Sequence, residues 1–284
     1  MWTSCERCSQ MQPRPAPPPP PPPSPRPPPA PHPPPRQMIR STFVHVGKAA
    51  GTSVQGFLHD IGVTYNTETE RNCSEDKQVC QVHARPVTPA DLAHDVPVFI
   101  TMRDPISRSV SAFNWLNPRG GACAAFAETN CRRGGKMSSR LYECFDDIDS
   151  FARALDSETQ CGDAARVSLH HGASHLSMGF AFYLANVVGS LTRERHAGSR
   201  LVRRYELVHT DNLAEDMRRV AAWAHLVTPE TAASTPMRHR FGSYPGKNKT
   251  FLSSRGRRLL RQYLESDYEI VHRLEAYAAI AATI

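Results

Sequence analysis

The chain has 284 residues, 40% of them hydrophobic, and a formal net charge of +7, which suffices for one good core. No apolar run is long enough to span a bilayer and no signal-peptide core begins the sequence, so nothing in it predicts a membrane-embedded fold. No basic block is interleaved with aromatic residues as a nucleic-acid groove requires, and the excess positive charge fits a small anionic ligand or a polyanionic acceptor instead.

Residues 1–37 carry 17 of the 25 prolines, including the unbroken Pro17 to Pro23, and almost no side chains that could pack. Such a stretch is expected to stay extended as a disordered, proline-rich stem, with a folded domain over 38–284. The stem contributes +3 of the charge, leaving +4 for the domain.

The domain opens on a β-rich run, Thr42 to Val46, that breaks at Gly47 into a turn holding Lys48, Ala49, Gly51, Thr52 and Ser53. A helical pattern follows over Ser53 to Ile61, with Val54, Phe57, Leu58 and Ile61 on one face. Strand, small-residue loop with a lysine, then helix start is a phosphate cradle: outward-pointing amides carry partial positive charge, small residues admit the anion, and Lys48 adds a point charge. The nucleotide-triphosphate loop ends in Gly-Lys-Ser/Thr after four intervening residues, whereas here Lys48 comes early and the ending is Gly51-Thr52-Ser53.

Further along, Thr64 to Lys77 reads as irregular, Val79 to His83 as a short strand and Pro89 to Ala93 as a brief helix. Val96 to Met102 is a buried-strand pattern leading into Arg103-Asp-Pro-Ile-Ser-Arg-Ser-Val-Ser111, where Pro105 suits the first helical turn. Arg103 then stands at a strand exit and Ser111 about two turns into a helix; a guanidinium can grip a phosphate bidentately and a hydroxyl can add one bond. Asn117 to Ser139 lacks periodicity and reads as a long excursion. Helices are expected over Phe145 to Leu155, Leu176 to Val188 and Asn212 to Leu226, a strand over Arg200 to Leu207, and helices from Leu252 to Tyr277. Leu176 to Leu191 is the most apolar stretch, but with Ser177 and Asn186 inside it reads as core. Alternation of this kind predicts an α/β fold, a P-loop-like parallel sheet flanked by helices, with ligands beyond the carboxyl ends of its strands.

The order Lys-x-x-Gly-Thr-Ser after one strand, and Arg with Ser eight later after another, resembles the 5′-phosphosulfate and 3′-phosphate sites of sulfotransferases that use 3′-phosphoadenosine 5′-phosphosulfate (PAPS). The resemblance is best to Golgi-type carbohydrate sulfotransferases of the heparan sulfate 2-O and 6-O kind and covers roughly Ile39 to Tyr277. It implies a single sulfotransferase domain that passes a sulfuryl group from PAPS to a hydroxyl of a carbohydrate or glycoconjugate, without a metal. It implies that Lys48, Ala49, Gly51, Thr52 and Ser53 hold the 5′-phosphosulfate and Arg103 and Ser111 the 3′-phosphate. It also implies that Lys247 and Lys249, in a closing Gly-Pro loop, cover the phosphates, and that Glu206 ends a late strand in an architectural role. Relatives carry a catalytic histidine between the two cofactor blocks, which selects His83 as base; Glu75, Asp76 and the pair His170 and His171 remain rivals, while His45 reads as core. A Golgi or other secretory lumen and a membrane anchor are further implications, although this sequence shows no anchor.

Eight cysteines include Cys73, Cys80, Cys123, Cys131, Cys144 and Cys161 in the domain, compatible with up to three disulfides, of which Cys73 with Cys80 and Cys123 with Cys131 are the shortest pairings. The sequons at Asn72 and Asn248 agree with a secretory route. Cys73, Cys80 and His83 depart from zinc-site spacings, so no metal is expected. Two other functions stay open: a P-loop nucleotide kinase, which would need a strand-terminal carboxylate for magnesium, and a non-catalytic glycan- or nucleotide-binding module.

Overall fold

The computed structural model describes residues 41–66, 76–92, 96–117, 141–170, 174–192, 196–197, 200–201, 205–237 and 251–281. The stem, Glu75, His171, Lys247, Lys249, both sequon asparagines, Cys73, Cys123, Cys131 and all but the first residue of the Asn117 to Ser139 excursion lie outside them.

Four parallel strands form the sheet in the order β2-β1-β3-β6: β1 Ser41–Val44, β2 Val79–Val82, β3 Val98–Met102 and β6 Tyr205–His209. A separate two-stranded ribbon pairs β4 His196–Ala197 with β5 Arg200–Leu201. The chain steps outward from β1 to β2, then crosses back to β3 and on to β6, so the order reverses between β1 and β3. At such a point the flanking loops part and leave a crevice beyond the carboxyl ends of the strands. The two strands are stitched together there by Thr101, whose hydroxyl accepts from the Val46 amide at 3.2 Å.

Strand residues alternate between two apolar layers, as a sheet covered on both faces requires. Phe43, Val79, Phe99 and Val208 pack on α1 (Gly51–Asp60) and on α7 (Leu213–Trp223) through Val54, Phe57, Leu58, Met217 and Val220. Val44, Val82, Ile100 and Leu207 face the opposite way, toward α5 (Phe180–Leu184), α6 (Val188–Leu191) and α10 (Glu265–Ala281). A third cluster lies mostly between helices: α2 (Pro105–Leu116), α3 (Ile148–Ala154), α4 (Gln160–His170) and α9 (Ser254–Tyr263) close around Phe113, Phe151 and Leu260. The disulfide Cys144–Cys161 staples α4 to the helical turn 141–144 in this layer. A short helix, α8 (Pro229–Ser234), follows α7.

The α/β class with a parallel sheet, and helices from Leu252 to Tyr277, are as the pattern predicts; two details differ. The helix expected over Leu176 to Val188 is broken, because the buried Arg108 guanidinium takes the carbonyls of His175 (2.6 Å), Leu176 (3.2 Å) and Met178 (3.3 Å) out of any helical ladder. The helix restarts at Phe180, where Asp267 Oδ1 accepts the Ala181 amide at 2.8 Å. Of the strand expected over Arg200 to Leu207, Arg200 and Leu201 belong to the ribbon, while the sheet strand is described from Tyr205 to His209, in register with Val98 to Met102; Glu206 does not end it but is its second described residue, buried and paired with Arg219 at 3.3 Å. The long C-terminal helix bends at Leu264 into α9 and α10. Among the described residues no helix is long and apolar enough to cross a membrane, and Leu176 to Leu191 is core.

Candidate functional site

Three strand ends meet at the reversal of strand order, and each carries a residue singled out by its sequence position. Past β1, the loop turns sharply: Lys48 and Ala50 both hold left-handed backbone, at φ 68° and 63°. Such angles cost a non-glycine residue about 1–2 kcal/mol and persist where packing dictates them. Ala50 offers α1 no side-chain cap, so the amides of Gly51 and Thr52 are uncapped, while the Ser53 amide donates to the Ala50 carbonyl at 2.9 Å. Ala49 turns its methyl into the core and gives its amide to Val46 at 3.1 Å, leaving it the least to offer a ligand. Thr52 is half-buried and Ser53 buried at the start of the helix.

Past β3, Arg103 is half-buried and its Nη1 donates to the carbonyl of Lys48 at 3.0 Å. The two blocks, 55 residues apart in sequence, are thus in direct contact. Burial lowers the Arg103 guanidinium from its ordinary value, while the carboxylates of Asp211 and Asp104 act to keep it charged. Asp104 caps α2 by accepting the Ser107 amide at 2.8 Å, and its other oxygen accepts the Tyr268 hydroxyl at 2.7 Å. Burial opposes ionisation there, but those hydrogen bonds hold the carboxyl below its ordinary range. Ser111 lies half-buried on α2, and one turn later Trp115 carries the Lys48 ammonium 3.6 Å above its ring.

Past β2 stands His83, stacked on the ring of His45 and tilted against that of His175. Its ring lies 3.9 Å from that of His45 and 5.7 Å from that of His175. His83 Nδ1 is 2.9 Å from the carbonyl of His45. A carbonyl only accepts, so Nδ1 carries the proton and, in the neutral ring, Nε2 carries the lone pair. His45 is itself oriented by a chain of amides: Gln55 Nε2 donates to Gln81 Oε1 at 3.0 Å, and Gln81 Nε2 lies 3.4 Å from His45 Nδ1. Asn66 in turn brackets Gln81, exchanging hydrogen bonds with its backbone amide and carbonyl. Burial, then the neighbouring His83, His175 and Lys48, hold His45 well below its ordinary pKa. Burial, with the same kind of neighbours, lowers His175 to about 3.

Packing is tight enough to dictate two glycines. A Cβ on Gly51 would lie 1.8 Å from the His45 ring, and one on Gly47 would lie 2.5 Å from His175 Nδ1. The loop therefore rests directly on the two neutral histidines. His175 Nδ1 is shut off from solvent without a hydrogen-bond partner, and its backbone is held by Arg108, which also faces Asp267 at 3.6 Å.

Lys48, Gly51, Thr52, Ser53, Arg103, Ser111 and His83 are thus brought to one edge of the sheet. Of the rival bases, Asp76 ion-pairs with Lys77 at 3.3 Å, and His170 lies against Tyr263 with ring centres 5.9 Å apart. His45 is buried as expected of a core residue, yet it is also the platform for His83. His175 and Trp115 carried no sequence signal beyond their residue types. Among the described residues no group of three or more His, Cys, Asp or Glu could hold a metal. Cys80 is buried on β2.

No protein-family model matches the chain, and no curated protein matches it.

Proposed function

We propose that the domain is a PAPS-dependent sulfotransferase acting on a hydroxyl of a carbohydrate or glycoconjugate, with His83 as general base. The observation that carries the reading is the 3.0 Å contact between Arg103 and the Lys48 carbonyl. It makes neighbours of a small-residue loop with uncapped amides and a guanidinium followed by a helix hydroxyl, the pair of grips that a nucleotide with phosphates at both ends of its ribose requires.

In this reading the amides of Gly51 and Thr52, with the hydroxyls of Thr52 and Ser53, hold the 5′-phosphosulfate, and Arg103 and Ser111 hold the 3′-phosphate. PAPS supplies the activated sulfuryl group. His83 Nε2 takes the proton of the acceptor hydroxyl as its oxygen bonds to sulfur, and Lys48 offsets the charge left on the phosphate oxygen as its bond to sulfur breaks. Positioning and electrostatics supply most of the acceleration in transfers of this type. The disulfide Cys144–Cys161 supports a secretory lumen, the Golgi in this reading, because such bonds persist in oxidising compartments.

The test is incubation of the full chain with labelled PAPS and a panel of glycans, glycolipids and tyrosine peptides, beside calorimetry with adenosine 3′,5′-bisphosphate. A labelled glycan is expected, lowered about 10²- to 10³-fold by Lys48→Ala. His83→Ala should lose product while still binding the bisphosphate. A folded protein that gives no heat with the bisphosphate overturns the reading. Binding without product from any acceptor favours a non-catalytic module, and preference for magnesium-ATP favours a kinase.

A further inference from the structure

The Lys48 side chain does not lie in the loop that presents it. Its carbonyl is tied to Arg103 at the end of β3, and its ammonium stands 3.6 Å over the ring of Trp115, four residues beyond Ser111 on α2. The backbone of Lys48 is also fixed in left-handed geometry. With the backbone held, movement is confined to the flexible four-carbon stem. A cation over an indole face is held by the ring quadrupole, an attraction weaker than a charge-assisted hydrogen bond to an anion.

We infer that Trp115 is a positioning residue for Lys48: it holds the ammonium above α2 when the crevice has no anion and releases it to the donor's phosphate on binding. This rests on the sulfotransferase reading and adds to it a residue and a movement. Trp115 stands one turn beyond Ser111 on α2, so with the 3′-phosphate at Ser111 and Arg103 the ammonium needs only a swing of its stem to reach the 5′-phosphosulfate.

Tryptophan emission can follow the contact, because the chain has only Trp2, Trp115 and Trp223. In the full chain carrying Trp2→Phe and Trp223→Phe, adenosine 3′,5′-bisphosphate should change Trp115 emission with the same midpoint as the calorimetric heat. Lys48→Met in that background should shift the resting emission toward the liganded spectrum and abolish the further change. In turnover, Trp115→Ala should lower kcat about tenfold with donor KM within about twofold, and Trp115→Phe, which keeps an aromatic face, should recover most of it. Calorimetric binding that leaves Trp115 emission unchanged, with Lys48→Met indistinguishable at rest, overturns the inference while sparing the sulfotransferase reading. Loss of bisphosphate binding altogether removes both.

Discussion

Helices α1 and α2 begin at the same edge of the sheet, each just past a central strand, and they begin in opposite ways. Helix α2 starts on Asp104, which accepts the Ser107 amide, and has Pro105 at its first position. Helix α1 starts on Ala50, left-handed and without a cap. One end supplies its own carboxylate; the other leaves its amides to be met from outside. An anion at α2 must therefore be gripped by the Arg103 side chain, whereas at α1 the backbone itself can do the gripping. The supports differ as well: α1 rests on the neutral ring of His45, and α2 carries Arg108, a charge that does not titrate in the accessible range.

Acid should separate the two ends most strongly. His45 and His175 have pKa values lowered by folding, so their contribution is present above the unfolded value near 6.5 and is lost as pH falls through the window below it, down to about 3 for His175. Each can cost up to about 1.4 kcal/mol per pH unit in that window. Thermal midpoints should fall between pH 7 and pH 5, with amide exchange quickening at the start of α1 before α2. His175→Phe, which cannot titrate, should flatten the dependence in part, His45 remaining; an unchanged slope would remove His175 as a cause.

A carboxylate placed where α1 lacks one should make the ends alike. Ala50→Asp is expected to weaken bisphosphate binding at least about tenfold by calorimetry, through like charge at the uncapped amides, without loss of thermal stability. Undiminished affinity would show that those amides take no part. The smallest effects concern the caps alone. Asp104→Ala should cost about 1 kcal/mol in denaturant unfolding, and Ala50→Gly, which relieves left-handed strain against the entropy of glycine, should gain about 0.5 kcal/mol.

Local pattern made much of this edge readable. The β-rich runs at Thr42 to Val46, Val79 to His83 and Val96 to Met102 contain three of the four sheet strands, because strands buried on both faces are largely apolar. Lys48, Arg103 and His83 were readable as strand-exit residues for the same reason. What escaped was decided across the fold. The break before Phe180 depends on a guanidinium from α2, 67 residues away from His175. The roles of His45 and His175 depend on stacking between segments that no periodicity connects, and Trp115 looks like any helix aromatic until Lys48 is placed above it. The strand expected over Arg200 to Leu207 is shared between the ribbon and β6, a division that its apolar pattern, interrupted in sequence by Arg203 and Arg204, does not signal.

One bond gives the site a timetable. Tyr268 reaches back 164 residues to the oxygen of Asp104 beside Arg103, and its neighbour Asp267 faces Arg108. During synthesis, the loop and its two central strands emerge long before α10, so the frame can gather early while the arginine-bearing helix lacks its far anchors. A nascent chain halted before Asp267 would hold the Lys48 loop without these far anchors, so the nucleotide binding proposed above should arise late, as the final helix docks.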